Sequence, residues 1–447
     1  MSVKFYIRTY GCQMNERDSE ALISLLEENG MQEVSEESDA DVLVFNTCSV
    51  RDQAERKVVG KVGLLKKLKR QKPDIVIAVI GCMAQNHGDR LLQELPHIDI
   101  VAGTDHLHEL PELIADVREN REKRVATEPS EEISDKLTRH VGGKMSAYVA
   151  VMRGCNQFCS YCIVPYVRGR EKSRGIDDIV REVEGLVAQG VKEVFLLGQN
   201  ITAYQLAEQQ VNNEWSPENS PFADLLQEIN DVPGLERIRF TSPHPKYMND
   251  KFIQTAASLS KVCEHFHLPL QSGSDHILQA MRRGYTRADF MHRIDRLRAA
   301  LPQVSFSTDI IVGFPGETEE DFNATRETMD EAGFDMAYIF KYSPRQGTKA
   351  CQWADNVPRE IKEERNQILL EDLEKRALAH NQAYPGSCVE VLVEGESKRN
   401  NTRWAGRTRN DKVCLFDVDD SVKPGQIRYV KIQYVTANSL FGVLHPR

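Results

Sequence analysis

The chain has 447 residues, 40% hydrophobic and 28% charged, with a net charge of −10. That length exceeds one ordinary core and points to two to four domains, and the acidic total speaks against a globally basic nucleic-acid binder. No apolar run reaches the roughly 18 residues of a membrane span. The N-terminal "MSVKFYIRTYGCQMN" has no apolar leader core, so a cytosolic protein is expected. Ten cysteines in a reducing compartment favour metal binding or catalysis over a disulfide framework.

The first segment repeats one unit. "VKFYIRTYGC" is a strand pattern ending in Cys12, and the helix pattern "ERDSEALISLLEENG" follows, with Gly30 as its C-terminal stop. "ADVLVFNTC" is a buried-strand run ending in Cys48, followed by "QAERKVVGKVGLLKKLKRQ" as a helix, and "DIVIAVIGC" ends in Cys82. Strands alternating with helices predict a parallel sheet, whose ligand crevice lies at the carboxyl ends of the strands. Cys12, Cys48 and Cys82 are therefore expected on one edge, unless each is simply a small buried hydrophobe. Cys263, Cys351, Cys388 and Cys414 show no such placement and read as structural. The domain spans 1–118, and a charged, aperiodic linker is expected over 119–144.

The second segment, 145–383, carries strand candidates "AYVAVMR", "EVFLLG", "RIRF", "EHFHLPL", "VSFSTDIIVGF" and "MAYIFKY", separated by helix patterns. Six strand–helix units suit a partial (β/α)6 barrel, with chemistry at the carboxyl ends of the strands. "AEQQVNNEWSPENSPF" is a polar insertion expected as a loop, and "RNQILLEDLEKRALAHNQAY" is a long amphipathic helix. The third segment, 384–447, contains five short alternating runs that fit a small β-barrel of the OB-like size class. It holds ten Lys or Arg against seven Asp or Glu, a charge of +3 on an otherwise acidic chain. Arg399, Arg403, Trp404, Arg407 and Arg409 suggest phosphate contacts and a stacking surface, with a solvated basic face as the alternative.

In "MRGCNQFCSYC", Cys155, Cys159 and Cys162 form C-x3-C-x2-C just after the first barrel strand. Four thiolates normally hold a [4Fe–4S] cluster, so three would leave one iron open. A structural zinc would need a fourth Cys or His, and the following "IVPYVRGREKSRG" has neither. This spacing, with Tyr161 before the third cysteine, resembles the signature of radical S-adenosylmethionine enzymes. "TYGCQMN", "FNTCSVR", "VIGCMAQ", "LPLQSGS", "STDIIVGFPGETEEDF" and "FKYSPRQGT" resemble the methylthiotransferase family within that class, and the tail resembles its TRAM RNA-binding domain. Gln13-Met14-Asn15 after the first cysteine is similar to the branch acting on isopentenylated adenosine in tRNA. The ribosomal-protein branch typically has Pro-Lys-Asn there, and the threonylcarbamoyl-adenosine branch Lys-Val-Asn.

The resemblance implies two [4Fe–4S] clusters, one on Cys155, Cys159 and Cys162 and one on Cys12, Cys48 and Cys82. It also implies two S-adenosylmethionine molecules per turnover, one for a 5′-deoxyadenosyl radical and one as methyl donor. The implied reaction converts N6-isopentenyladenosine-37 of a tRNA anticodon stem-loop to its 2-methylthio form, with an electron donor as a further partner and a monomer as the default. Opening an inert C2–H bond is cofactor chemistry, for which the protein supplies spacing and dryness. Tyr161 is expected to line the adenine pocket, and Gly198, Gln199, Asn200, Gln271 and Asp309 are candidate cofactor or substrate contacts; a strand-to-helix turn or a hydrogen-bonded core group is the alternative for each. Arg168 and Arg170 are expected to meet phosphate or cofactor carboxylate, or solvent. His244 is expected to be a satisfied structural histidine, and "GFPGET" a helix-starting turn. The same chemistry on threonylcarbamoyl-adenosine or a ribosomal-protein aspartate is one alternative. A non-catalytic metal-containing RNA-binding protein is another.

Overall fold

A computed structural model describes residues 2–49, 52–130, 139–211, 216, 218–419 and 421–445, without the side chains of 52–54 and 210–211. The N-terminal sheet contains β1 (Lys4–Thr9), β2 (Val42–Thr47), β3 (Val76–Gly81), β4 (Ile100–Ala102) and β5 (Arg124–Ala126), all parallel and adjacent in that order. β2 and β3 are buried at every residue because helices cover both faces of the sheet. Val42, Val44, Val76, Ala78 and Ile80 pack under α1 (Gln13–Glu28) and a later helix, while Leu43, Phe45, Ile77 and Val79 pack under α2 (Asp52–Gln71). Past α1, Gly30 adopts φ +77, its N–H bonds the Glu27 carbonyl, and the Met31 N–H bonds the Leu26 carbonyl, a Schellman closure. The short helix α3 (Cys82–His87) starts directly on the third strand.

β5 is a departure from the expected linker. Residues 124–126 pair with the free edge of β4, which satisfies backbone groups a bare edge would leave open. Residues 131–138 of the expected linker lie outside the described residues, as do 212–215 and 217 of the polar insertion; Leu206–Val211, at its start, is helical.

The central domain alternates β6 (Ser146–Ala150), β7 (Glu193–Leu197), β8 (Arg237–Phe240), β9 (His265–His267), β10 (Ser305–Val312) and β11 (Met336–Lys341) with helices. The strands are parallel in chain order, with β8 joined to the segment before β9 by an Ile238–Val262 bridge. β6 and β11 are not paired, so the barrel is open on one side, as six units require. Side chains alternate along each strand. Val149, Val194, Leu196, Ile238, Phe240, Phe266, Phe306, Ile310 and Val312 face the helices and form one core. The opposite face lines the barrel interior, and on β11 it leaves Met336, Tyr338 and Phe340 exposed beside the open side.

After the 23-residue helix Arg359–Asn381, five strands close into a barrel: Cys388–Ser397, Asn400–Thr408, Val413–Asp417, Ile427–Val435 and Ser439–Leu444. The turn 408–412 of this small barrel plugs the amino-terminal end of the central one. Arg237 donates to Glu390 and to the Arg407 carbonyl; Arg239 donates to Glu193 and to the Thr408 and Arg409 carbonyls. Arg409 pairs with Glu264, and Lys412 with Asp335 at the foot of β11. No helix among the described residues is long and apolar enough to cross a membrane.

Candidate active site at the two cysteine triads

Cys12, Cys48 and Cys82 each follow a parallel strand, and glycine lets the strand ends meet. A Cβ on Gly11 (φ +134) would come within 2.4 Å of the Cys48 Cβ, and one on Gly81 (φ +90) within 2.5 Å of Asn46 Oδ1. Two asparagines lock the loops together. Asn15 Nδ2 donates to the Thr47 carbonyl at 2.8 Å and to the Tyr10 carbonyl, while Asn46 Nδ2 donates to the Asn15 carbonyl and Ser19 Oγ. A hydrogen bond from Cys48 brings the Cys12 thiol down to about 6 against the opposing effect of burial, with the Arg168 charge helping. Burial pushes the Cys82 thiol up.

Cys155 and Cys159 are buried and Cys162 is half-buried, in the loop after the short strand Met152–Arg153. Gly154 is required there, since a Cβ would lie 2.0 Å from the Arg170 carbonyl oxygen. Burial raises the Cys155 and Cys162 thiols to about 12. Arg283 donates to Cys159 Sγ at 3.4 Å and is itself braced by Tyr285 and the Pro269 carbonyl. Neutral buried thiols are costly to ionise without a compensating cation, so this donor set fits thiolates bound to metal rather than free thiolates. Among the described residues, no three His, Cys, Asp or Glu side chains gather as the ligands of one metal ion. The thiols of each triad are the residues that would hold an iron–sulfur cluster, one thiolate to an iron.

The two triads are mechanically joined. Just past Cys162, Ile163 and Val167, which flank and end a short helix (Val164–Val167), pack on Cys82, and Thr104 Oγ1 donates to the Val167 carbonyl. Arg168 ends that helix, fully buried. Its Nη2 donates to Asn15 Oδ1 at 2.9 Å and to Asp18 Oδ2 at 2.8 Å, and Arg153 takes the other Asp18 oxygen. Burial alone would raise Asp18, but Arg168 and Arg153 outweigh it and hold the carboxyl below its usual range. Arg168 Nη1 is buried without a hydrogen bond, and its charge is felt most strongly by Cys82, then Asp18 and Cys12. A buried guanidinium turned toward the Cys82 and Cys12 thiols is the second mark of a site built for an anionic group. Of the roles expected for Arg168, that of a solvated surface cation does not describe this buried tie. The sequence signal that was available is its place six residues after Cys162. Arg170, by contrast, is exposed, stacked over Phe158.

The other candidates divide. Gln199 Oε1 accepts the Gly154 N–H at 2.6 Å, and Asn200 donates to Glu171, which also accepts from Asn156, so the loop after β7 braces the cysteine loop. Gly198 is needed because a Cβ would meet Met152 Cγ at 2.7 Å, a packing reason within the chain. Tyr161 packs with Phe314 beside a cluster containing Tyr342 and Trp353. Gln271 bonds the β10 backbone at Asp309, whose carboxylate faces the barrel interior and meets His267 at 3.3 Å. His244 is buried, and burial followed by the Arg283 and Lys246 charges holds it neutral; its Nδ1 accepts the Lys246 N–H, but its Nε2 has no partner, so it is not satisfied as expected. In "GFPGET", Thr318 caps the helix Glu319–Ala332 with a reciprocal bond to Asp321, the expected turn.

In the small barrel, Arg399 is exposed, and Arg403 donates to Tyr434 and lies over Phe441. Trp404 packs on the barrel core with its Nε1 buried, and Arg407 is tied to Asp411 and Glu394. Those two are thus partnered within the chain; beside them the exposed Tyr434 stacks on the half-buried Phe441, ring centroids 4.5 Å apart and parallel.

Family comparisons agree with this three-part architecture. Residues 4–103 match the uncharacterized protein family UPF0004, 149–329 the radical SAM superfamily, and 382–445 the TRAM domain. Among solved structures, the radical S-adenosylmethionine methyltransferase TsrM of Kitasatospora setae superposes with a TM-score of 0.55 at 14% identity, covering 78% of this chain and 74% of that one. This likeness speaks for the fold alone. Fold and cysteine loop thus define a radical SAM protein carrying a TRAM domain.

Two relatives narrow the class. A protein of Opitutus terrae is 43% identical over 99% of this chain and 97% of its own length, and one of Carboxydothermus hydrogenoformans is 45% identical over 98% and 99%. Both are named tRNA-2-methylthio-N(6)-dimethylallyladenosine synthase, and the chain belongs to that family. Neither the threonylcarbamoyl-adenosine nor the ribosomal-protein alternative gains support from them.

Proposed function

We propose that this protein methylthiolates C2 of N6-isopentenyladenosine-37 in tRNA. The observation that carries the reading is the pair of three-thiol sites locked to each other through the Ile163–Arg168 segment. Cys155, Cys159 and Cys162 would hold one [4Fe–4S] cluster, and Cys12, Cys48 and Cys82 a second. When bound, these groups and S-adenosylmethionine supply radical generation, sulfur and methyl. The chain's own residues do the rest. Arg283 and Arg168 set positive charge beside each triad, Gln199, Asn200 and Glu171 fix the cysteine loop, and the barrel walls exclude water around the reacting base. Tyr161, Gln271 and Asp309 remain the candidates for cofactor or substrate contact.

The TRAM barrel would hold the anticodon stem through phosphate contacts, the reading that explains a basic tail on an acidic chain. An electron donor is required, and the protein is read as a cytoplasmic monomer with domains 1–118, 145–383 and 384–447. The test is anaerobic incubation of reconstituted protein with tRNA bearing unmodified isopentenyladenosine, followed by nucleoside mass analysis. A 2-methylthio product is expected. Replacing Cys12, Cys48 and Cys82 by Ala should abolish it while 5′-deoxyadenosine still forms, and Cys159→Ala should abolish both. Product from the triple variant would remove the N-terminal triad from sulfur delivery.

A further inference from the structure

Helix α2 begins four residues after Cys48 and is out of character with the rest of an acidic chain. Its twenty residues hold seven Lys or Arg and only two Asp or Glu. Val58, Val62 and Leu65 bury one face against the sheet. Lys61 and Lys69 on its flanks are answered by Glu37 and Asp99. The outward face is different. Lys57, Lys66, Lys67 and Arg70 are exposed and have no ion-pair partner among the described residues. Leu64 stands among them 76% exposed, and Val59 is exposed as well.

Two glycines sit on the same ridge. Residues 56, 60, 63, 67 and 70 follow each other at three- and four-residue steps, so they form one line along the helix. Gly60 and Gly63 are interior to the helix, and a Cβ on either would meet nothing within 4 Å. Glycine costs helix stability, and nothing among the described residues comes close enough to need the missing side chains. The reason left is close approach of a body from outside. A smooth strip bordered by four unpaired cations suits a phosphodiester backbone, which needs charge and close approach together.

Placement supports that occupant. Glu55, in the first turn of α2, lies 4.0 Å from Arg345 in the loop after β11, and Arg90 donates to Gln346 of the same loop. α2 therefore leaves the chemical end of the molecule next to the open edge of the central barrel. The TRAM barrel meets the other end of the same edge strand through Lys412 and Asp335. An RNA that presents a base at the open side would pass between them.

We infer that the Lys57–Arg70 face of α2 is a second RNA-backbone contact, which grips the substrate on the side opposite the TRAM barrel. This rests on the tRNA-substrate reading above. The test measures binding of a fluorescently labelled isopentenylated anticodon stem-loop by anisotropy across a salt series. Two variants are compared with wild type: Lys57, Lys66, Lys67 and Arg70 all changed to Gln, and Gly60→Leu with Gly63→Leu. The first should bind at least about tenfold more weakly, and its log K against log salt slope should be shallower by up to about 0.9 for each phosphate no longer neutralised. The second should melt at a higher temperature than wild type and still bind more weakly, which a purely structural role cannot produce. Iron content and RNA-free 5′-deoxyadenosine formation should not change. Unchanged affinity and slope in both variants, with wild-type methylthiolation intact, would overturn the inference and leave the function standing. Slower reduction by an acidic electron-donor protein with RNA binding unaltered would overturn it too, and assign the face to the reductant. Failure of wild type to bind or modify the RNA would instead bring down the functional reading, and this inference with it.

Discussion

The central barrel is held at both ends by buried arginines, and the two seams are built to different standards. At the amino-terminal ends of the strands, Arg237 and Arg239 spend their donors on Glu390, Glu193 and three carbonyls of the TRAM barrel. None of their buried nitrogens lacks a partner. At the carboxyl ends, Arg168 joins the cysteine loop to Asn15 and Asp18, yet leaves Nη1 unpaired. A saturated seam does structural work only. The other, set beside the Cys82 and Cys12 thiols, turns its buried charge toward groups that would become anionic, and so retains capacity for a ligand.

The contrast can be broken most forcefully at Arg168. Arg168→Met leaves Asp18 buried with one cation fewer, and a stability loss of about 3 kcal/mol is expected in thermal or denaturant unfolding. Adding Asp18→Asn should recover most of that stability. Methylthiolation should stay depressed in the double variant while 5′-deoxyadenosine forms as in wild type; recovery of both together would make Arg168 structural only.

Arg239→Met should cost a comparable or slightly smaller amount, about 2–3 kcal/mol, since it strands Glu193 and two carbonyls. The chemical end should not notice. Limited proteolysis should release the TRAM barrel more readily, and tRNA affinity should fall, with S-adenosylmethionine cleavage unaltered.

The smallest effect lies at Asp335. Burial opposes its ionisation, but His380 and Lys412 win and hold it at about 2. A depressed carboxyl contributes stability that is present above its unfolded value of about 4 and lost as pH falls through about 2. Between those values the seam should weaken by up to about 2 kcal/mol, measured as acid-dependent unfolding. Asp335→Asn should be less stable at neutral pH and should flatten that stretch of the acid profile.

Strand order was legible wherever a continuous apolar run met a turn signal. "ADVLVFNTC" and "DIVIAVIGC" are buried on both faces, and only a covered parallel sheet accepts such runs. "EHFHLPL" shows the limit. Only His265–His267 is strand, because Pro269 has no N–H to offer the ladder and Gln271 turns to φ +72. The tail shows a related limit. Arg407 and Trp404 look available in a sequence, but the first lies on the face turned to the central barrel and the second packs on the barrel core.

By itself the sequence singled out the residues proposed to carry the chemistry: six cysteines placed after strands, with glycine where two strand ends must touch. Spacing and periodicity are local properties, written residue by residue. Only tertiary structure decided that the two triads form one unit. Arg168 is 150 residues from Asp18 in the chain and 2.8 Å from it in space, and no local pattern encodes a charge pair of that separation. The same holds for α2, whose basic residues are plain in the sequence; that Lys61 and Lys69 are neutralised from elsewhere is visible only once Glu37 and Asp99 are brought against them.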